Sequence, residues 1–251
     1  AYVHQHVFPR ISEFERNYLT KYFTEIFNNG FEEGNFSAWT NTVGTPTIVT
    51  SPVHHGAYAA SFNAVSEYAE KNFNAQTTVY IRLYVQVDTL PPSNGNACVF
   101  MAFGGTDTVG KIAIAKDSNL IRLQVRYYYP NENNYVTYSF AINTWYCVEL
   151  KFVKATSGAY QVWIDGSSVF SVTKNTSSAP NITWIIVGQY DSGYTSTDVI
   201  DCVVVADTYI GPEGEAVLKT VTDSLSLSDS VFRNKPSLTI TDSLAAADAI
   251  K

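Results

Sequence analysis

Between Trp145 and Ile164 the chain alternates in a way that few structures other than a half-buried antiparallel strand pair can satisfy. Tyr146, Val148, Leu150 and Phe152 fall on one side of an extended chain, while Trp145, Cys147, Glu149 and Lys151 fall on the other. After Ser157-Gly158 the pattern restarts as Ala159-Tyr-Gln-Val-Trp-Ile164. Asp165-Gly166 then supplies the positive-φ pair of a two-residue hairpin, and Ser168-Val-Phe-Ser-Val172 returns.

The same grammar runs through most of the chain. Strands are expected near 26–32, 46–50, 57–63, 77–88, 97–104, 110–115, 120–129, 134–140, 145–154, 159–164, 168–173, 182–189 and 198–207. Turn chemistry separates them at Pro91-Pro-Ser-Asn-Gly95, Gly104-Gly105, Asp117-Ser-Asn119 and Pro130-Asn-Glu-Asn-Asn134. Many short strands with such punctuation predict an all-β, two-sheet antiparallel sandwich. The order "WYCVEL, short turn, YQVWIDG, strand" resembles the concanavalin A-like, laminin-G-like jelly roll. The opening Gly30-Phe-Glu-Glu-Gly-Asn-Phe-Ser-Ala-Trp39 looks like that family's first strand. Val199-Ile-Asp-Cys-Val-Val-Val205, followed by Tyr209-Ile-Gly-Pro212, looks like its last. The resemblance covers roughly residues 27–212 and implies a jelly-roll domain over 28–212. It does not select among lectins, glycosidases, lyases, adhesins and spacers, all of which use this fold.

Both ends depart from the pattern. In residues 1–27, Pro9 precedes a stretch carrying Ile11, Phe14, Tyr18, Leu19, Tyr22, Phe23 and Ile26 at near-helical spacing. This N-terminal arm is read as a helix, with an extended arm as the alternative, and Phe14, Tyr18, Tyr22 and Phe23 are its expected assembly contacts. In residues 213–251, Val221-Thr-Asp-Ser-Leu-Ser-Leu-Ser-Asp-Ser-Val231 recurs nineteen residues later as Ile240-Thr-Asp-Ser-Leu-Ala-Ala-Ala-Asp-Ala-Ile250. The tail is read as two repeat units of the kind that longer arrays build into stalks.

Composition narrows the partners. Hydrophobic residues make up 45% of the chain, charged residues only 16%, and there are 17 tyrosines, so the surface is amide- and tyrosine-rich. A net charge of −7 argues against a nucleic-acid partner, and no apolar run is long enough for a membrane span. A start at Ala1 is accounted for by a cleaved export signal or by trimming. Sequons at Asn35, Asn175 and Asn181 permit glycosylation of an exported chain. The expected location is extracellular, at a cell surface or on a virion surface. Cys98, Cys147 and Cys202 have no metal-ligand spacing and are read as buried thiols or one disulfide.

For catalysis, the glycosidases of the resembled fold carry paired carboxylates on one strand, about 5–5.5 Å apart in retaining enzymes. Here Glu149 stands alone. The lyases use Arg, Gln, His and Tyr on neighbouring strands, and no His falls on an expected strand: His4 and His6 precede the domain, and His54-His55 sit in a loop. No catalytic residue is therefore expected. Were the chain a lyase, Tyr84 or Tyr128 beside Arg82 or Arg126 would be the acid and base. The same side chains form a candidate glycan platform: Arg82, Tyr84, Gln86, Arg122, Gln124, Arg126, Tyr128 and Trp163 all point away from their core neighbours. The resemblance also implies a structural Ca²⁺ shared by Glu32 of the G-F-E motif and Asp201 of the I-D motif, although Cys202 stands where many relatives have a second Asp. The tail aspartates Asp223, Asp229, Asp242 and Asp248 are weaker calcium candidates.

These readings lead to a non-enzymatic structural subunit of an extracellular filament or viral fibre, a homo-oligomer or polymer joined through its arm and sheet edges. The alternative is a carbohydrate-binding, lectin-like module for a surface or acidic polysaccharide. A polysaccharide lyase comes third.

Overall fold

The computed structural model describes residues 24–94, 97–190 and 196–213, with the side chains of 97–99 left out. Residues 1–23, with the arm's Phe14, Tyr18, Tyr22 and Phe23, and the repeat tail beyond residue 213 lie outside the described residues.

Fifteen strands form the described part: β1 (Glu25–Asn29), β2 (Asn41–Val43), β3 (Thr47–Val49), β4 (Ala59–Phe62), β5 (Tyr68–Gln76), β6 (Thr78–Val87), β7 (Ala97–Gly104), β8 (Thr108–Asp117), β9 (Leu120–Tyr128), β10 (Asn131–Thr137), β11 (Tyr146–Val153), β12 (Gly158–Ile164), β13 (Ser167–Lys174), β14 (Ile182–Gly188) and β15 (Asp198–Ala206). All pairings are antiparallel. An eight-stranded sheet has the order β13-β12-β11-β6-β15-β4-β3 with β1 added beside β15, and a seven-stranded sheet has the order β10-β9-β8-β7-β14-β5-β2. Non-sequential neighbours in both sheets make this the jelly-roll sandwich that the strand order resembled.

The alternation read from the sequence sets which face is core. Val148, Leu150 and Phe152 of β11 are fully buried and pair with Leu83, Ile81 and Val79 of β6. From the other sheet, Ile112, Ile114, Leu123 and Val125 meet them across the sandwich. Aromatic pairs tie the layers: Tyr127 of β9 stacks on Tyr160 of β12 at 4.4 Å, and Phe103 of β7 meets Phe152 at 5.7 Å. Full burial of each such aliphatic side chain contributes about 1.5–3 kcal/mol. The hairpin turns are as their chemistry predicts. Asp165 and Gly166 have φ of 50° and 76°, and Ser118 and Asn119 have φ of 49° and 63°, so both loops carry the twist that hairpins favour.

At β1 and β5 the structure differs from the sequence reading for physical reasons. The segment around Glu25–Phe27 is strand β1 rather than the end of a helix, because pairing with β15 carries Phe27 into the core, 8% exposed and edge-on to Trp39 at 5.2 Å. Strands β2 and β5 went unread. In β5 only Ala69 is buried and Glu70, Lys71, Asn72 and Asn74 interrupt any apolar alternation, so its state is decided by pairing with β14 rather than by propensity. Among the described residues there is no helix.

Candidate functional site

The eight expected platform residues do not meet on one surface. Arg82, Tyr84 and Gln86 lie on β6 and Trp163 on β12, in the eight-stranded sheet; Arg122, Gln124, Arg126 and Tyr128 lie on β9, in the seven-stranded sheet. Both groups face away from the core, so they occupy opposite outer faces of the sandwich.

On the first face Arg82 and Tyr84 are not available as a platform, each being only 6% exposed. The chain leaving β15 runs over them. Arg82 donates to the Gly211 carbonyl at 3.2 Å, the Cys202 carbonyl at 3.3 Å and Glu213 Oε1 at 3.1 Å. The Tyr84 hydroxyl accepts from the Glu213 N–H at 2.6 Å, and the His54 ring stacks on Tyr84 at 3.5 Å. Glu149, alone among expected carboxylates, accepts from the Ile210 and Gly211 N–H groups at 2.9 and 2.8 Å. Burial holds its pKa above the usual carboxylate range, against the opposing pull of those two amides and of Arg82. Burial likewise pushes the Cys147 thiol up to about 12. Cys147 and Cys202 are free and buried, as one sequence reading had them. These polar groups hold the 209–213 segment on the sheet. Trp163 sits beyond them, between Tyr80 at 6.3 Å and Tyr209 at 5.1 Å, with Lys151 over the Tyr80 ring.

The second face gathers cations, amides and rings. The Ser118-Asn119 turn fixes β8 against β9 so that Lys111 pairs with Arg126, Ala113 with Gln124 and Ala115 with Arg122; Asn133 and Tyr135 of β10 continue the rows beyond Arg126 and Gln124. Ala102, Ala113 and Ala115 share this side yet are closed off from solvent, so long polar side chains stand over a floor of small ones. The Arg126 guanidinium lies 4.9 Å from the Tyr128 ring and the Lys111 ammonium 4.8 Å from the Tyr190 ring. Tyr190 in turn meets Tyr68 edge-on at 5.4 Å. Burial raises the Tyr68 phenol above its ordinary value, with Tyr190 and Glu70 acting the same way. Gln124 and Asn133 both donate to the Tyr135 hydroxyl, at 3.1 and 2.9 Å. Arg122 reaches Asp117 at 3.4 Å. The Nε atoms of Arg122 and Arg126 are buried and have no hydrogen-bond partner among the described residues.

Lys111, Tyr135, Tyr68 and Tyr190 were missed. For the first two a signal existed: a two-residue turn at 118–119 places residue 111 opposite 126, and the Tyr129-Pro130 turn carries Tyr135 opposite Gln124. Nothing local points to Tyr68 and Tyr190, which long-range pairing brings in.

Glu32 and Asp201 do converge, on the 54–58 loop. Asp201 Oδ2 accepts from the His54 and His55 N–H groups at 3.0 and 3.1 Å, and Glu32 accepts from the Ala57 N–H. Gly56, with φ of 76°, lets the loop pass, since a Cβ there would lie 2.2 Å from Glu32 Oε1. A Cβ on Gly30 would lie 3.8 Å from both Asp201 Oδ1 and Glu32 Cγ, so the two side chains flank one position that holds no side chain. Asp201 is fully buried, and burial raises its pKa. No Lys or Arg pairs with it among the described residues. Asp201 Oδ1 also accepts from the Cys202 N–H at 2.6 Å, so three backbone amides hold the buried carboxylate.

No protein-family model matches the chain, and no curated protein matches it. Solved structures do. The chain is similar to cellulose induced protein Cip1 (TM-score 0.58, 17% identity, covering 74% of this chain and 99% of that one). It is also similar to an endo-beta-1,4-glucuronan lyase from the fungus Trichoderma reesei (0.53, 17%, covering 74% and 96%) and to alginate lyase Aly36B (0.52, 15%, covering 73% and 96%). The fold is thus the concanavalin A-like jelly roll. The neighbours correct one expectation: a chain with this fold was read as having no catalytic activity, and two proteins that share the fold over nearly their whole length are polysaccharide lyases. The filament-subunit reading finds no support among them.

Proposed function

We propose that this protein binds an acidic, uronate-bearing polysaccharide on the outer face of the seven-stranded sheet, outside the cell or at a cell or virion surface. The observation that carries the reading is the row of half-buried Arg122, Gln124 and Arg126 on β9, beside Lys111 and above the alanine floor. A sugar carboxylate accepts from a guanidinium in a charge-assisted, fork-shaped geometry. Tyr128, Tyr135 and Tyr190 add ring faces and hydroxyls suited to pyranose rings. The neighbours named as lyases of glucuronan and alginate support a uronate rather than a neutral sugar. On this reading Arg126 and Arg122 hold carboxylates, Gln124 and Asn133 orient hydroxyls through Tyr135, and Lys111 balances charge at the centre of the row.

A second reading, β-elimination at the same face, is favoured by the Lys111–Tyr190–Tyr68 contacts opposite Arg126. Arg126 would neutralise the uronate carboxylate and so acidify the proton on the adjacent ring carbon. Elimination needs a base for that proton and an acid for the departing glycosidic oxygen, and Tyr190 and Tyr68, in edge-on contact at 5.4 Å, are the pair that would take the one and give the other as the C4–O bond breaks and the C4–C5 double bond forms.

Calorimetric titration with polyglucuronate, alginate and a neutral glucan tests the binding reading: the two uronates bind and the glucan does not. Ultraviolet absorbance of the unsaturated uronate in the same samples tests elimination, and Tyr68→Phe removes that signal while leaving binding in place. Equal affinity for the neutral glucan, or no binding to any uronate, defeats the main reading.

A further inference from the structure

The 209–213 segment, the 54–58 loop and the last strand bring three metal-ligating side chains to one point on the eight-stranded sheet, on the face opposite the proposed glycan site. His54 Nδ1 lies 3.9 Å from Cys202 Sγ and 3.6 Å from Glu213 Oε2, and one ligand atom from each residue falls within 4.8 Å of the others. The His54–Glu213 separation is too long for a hydrogen bond, and the His54–Cys202 separation is long even for sulfur. They are close to the edges of a metal tetrahedron: bonds of about 2.0–2.1 Å to nitrogen, 2.3 Å to sulfur and 2.0–2.2 Å to oxygen give edges of roughly 3.4–3.6 Å.

Each side chain is held in place by contacts with the sheet, Tyr84 being common to all three. Cys202 has φ of 50° and sits where the β15–β6 register slips between Asp201 and Val204. A bulge of this kind re-aims a side chain, and here Cys202 joins Tyr84 and Cys147 in a small cluster separate from the main core. The His54 ring is clamped flat on Tyr84 at 3.5 Å and edge-on to Trp145 at 5.7 Å, while its backbone N–H is tied to Asp201. Glu213 is fixed twice, by its N–H to the Tyr84 hydroxyl and by Oε1 to Arg82, which leaves Oε2 turned towards His54. Such fixing of ligands by surrounding hydrogen bonds is what tunes metal sites.

We propose that His54, Cys202 and Glu213 form a binding site for a borderline-soft divalent ion of the Zn²⁺ class, with the fourth position filled from solvent. Thiolate, imidazole and carboxylate together select such an ion over Ca²⁺. Glu213 and His54 retain side-chain exposures of 31% and 24%, which provides the way in. Binding joins β15, the 54–58 loop and the 209–213 segment through one ion. The site is independent of the glycan reading.

The experiment uses the full chain stripped of metal and titrated with Co²⁺ alone. Expected are a thiolate-to-cobalt charge-transfer band with visible absorption of tetrahedral intensity at one equivalent, displacement by stoichiometric Zn²⁺ and indifference to Ca²⁺. Cys202→Ser abolishes the charge-transfer band, and Cys147→Ser keeps it. His54→Ala, in a loop outside both sheets, weakens binding at least about tenfold, the lower end of what even outer-shell changes cost. This variant decides the matter should Cys202→Ser fail to fold. Absence of a band, a band lost with Cys147→Ser instead of Cys202→Ser, or unchanged affinity in His54→Ala overturns the proposal.

Discussion

Replacing Glu149 by Ala tests whether buried polar groups hold the 209–213 segment against the eight-stranded sheet. Its two oxygens are the acceptors for the Ile210 and Gly211 N–H groups, at 2.9 and 2.8 Å, in a side chain only 2% exposed. Alanine leaves both donors without a partner, at about 1–3 kcal/mol each, and takes a compensating charge from beside Arg82. Against this stands the desolvation of the carboxylate, which removal relieves and which the raised pKa of Glu149 records. The net expectation is a loss of about 2–4 kcal/mol, in line with breaking one side of a buried polar pair. The pH dependence has a definite sign. A carboxylate whose folded pKa lies above its unfolded value contributes stability that is fully present below the unfolded pKa and lost as pH rises through the folded one. The penalty of Glu149→Ala is therefore larger at mildly acid pH than at neutrality. Urea unfolding of both proteins across that range measures it. A difference within about 0.5 kcal/mol, the size of an ordinary surface change, or a penalty that grows as pH rises, refutes the reasoning.

Adding Ca²⁺ alone to the metal-stripped chain is expected to raise the melting temperature if that ion lies between Glu32 and Asp201, since an ion at a hundredfold its Kd adds about 2.7 kcal/mol. Asp201→Asn should remove that rise, and a wild type that does not respond to Ca²⁺ would dismiss the ion. Gly166→Ala forces an L side chain to φ of 76° in the β12–β13 turn and should cost about 1–2 kcal/mol in thermal unfolding without altering glycan binding. Phe152→Ala empties the contact with Phe103 across the layers and with Tyr160 on the neighbouring strand, and should cost about 3–5 kcal/mol, read by the same method.

Much of the sandwich was legible because its signals are local. The alternation of Tyr146–Phe152 fixes strand β11, and the Asp165-Gly166 turn fixes the β12–β13 hairpin, without reference to the rest of the chain. Strand β5 was illegible for the converse reason: its residues favour no strand, and only the ladder to β14 makes them one. The candidate site was legible in part. Alternation tells that Arg82 and Arg126 both point away from the core, but not that β6 and β9 belong to different sheets, which is decided by partners far away in sequence. Nor does it tell that a later segment will cover Arg82 and Tyr84, turning an apparent platform into an anchoring network. Lys111 was within reach, because the turn at Ser118-Asn119 sets its partner by counting. Glu32 and Asp201 were found through resemblance, and the structure brings both to one loop.

The central claim is that the β9 face of the seven-stranded sheet binds uronates through its arginines. The most direct measurement is the affinity of wild type, Arg126→Ala and Trp163→Ala for one acidic polysaccharide, titrated alongside the same polymer with its carboxyl groups reduced. Loss of a charge-assisted bond of about 1.5–3 kcal/mol predicts a roughly ten- to hundredfold weaker Kd for Arg126→Ala. Trp163→Ala, on the opposite face, should bind as wild type does, and the reduced polymer should bind none of the three. Retained affinity in Arg126→Ala together with loss in Trp163→Ala would place the glycan on the other sheet and contradict the account.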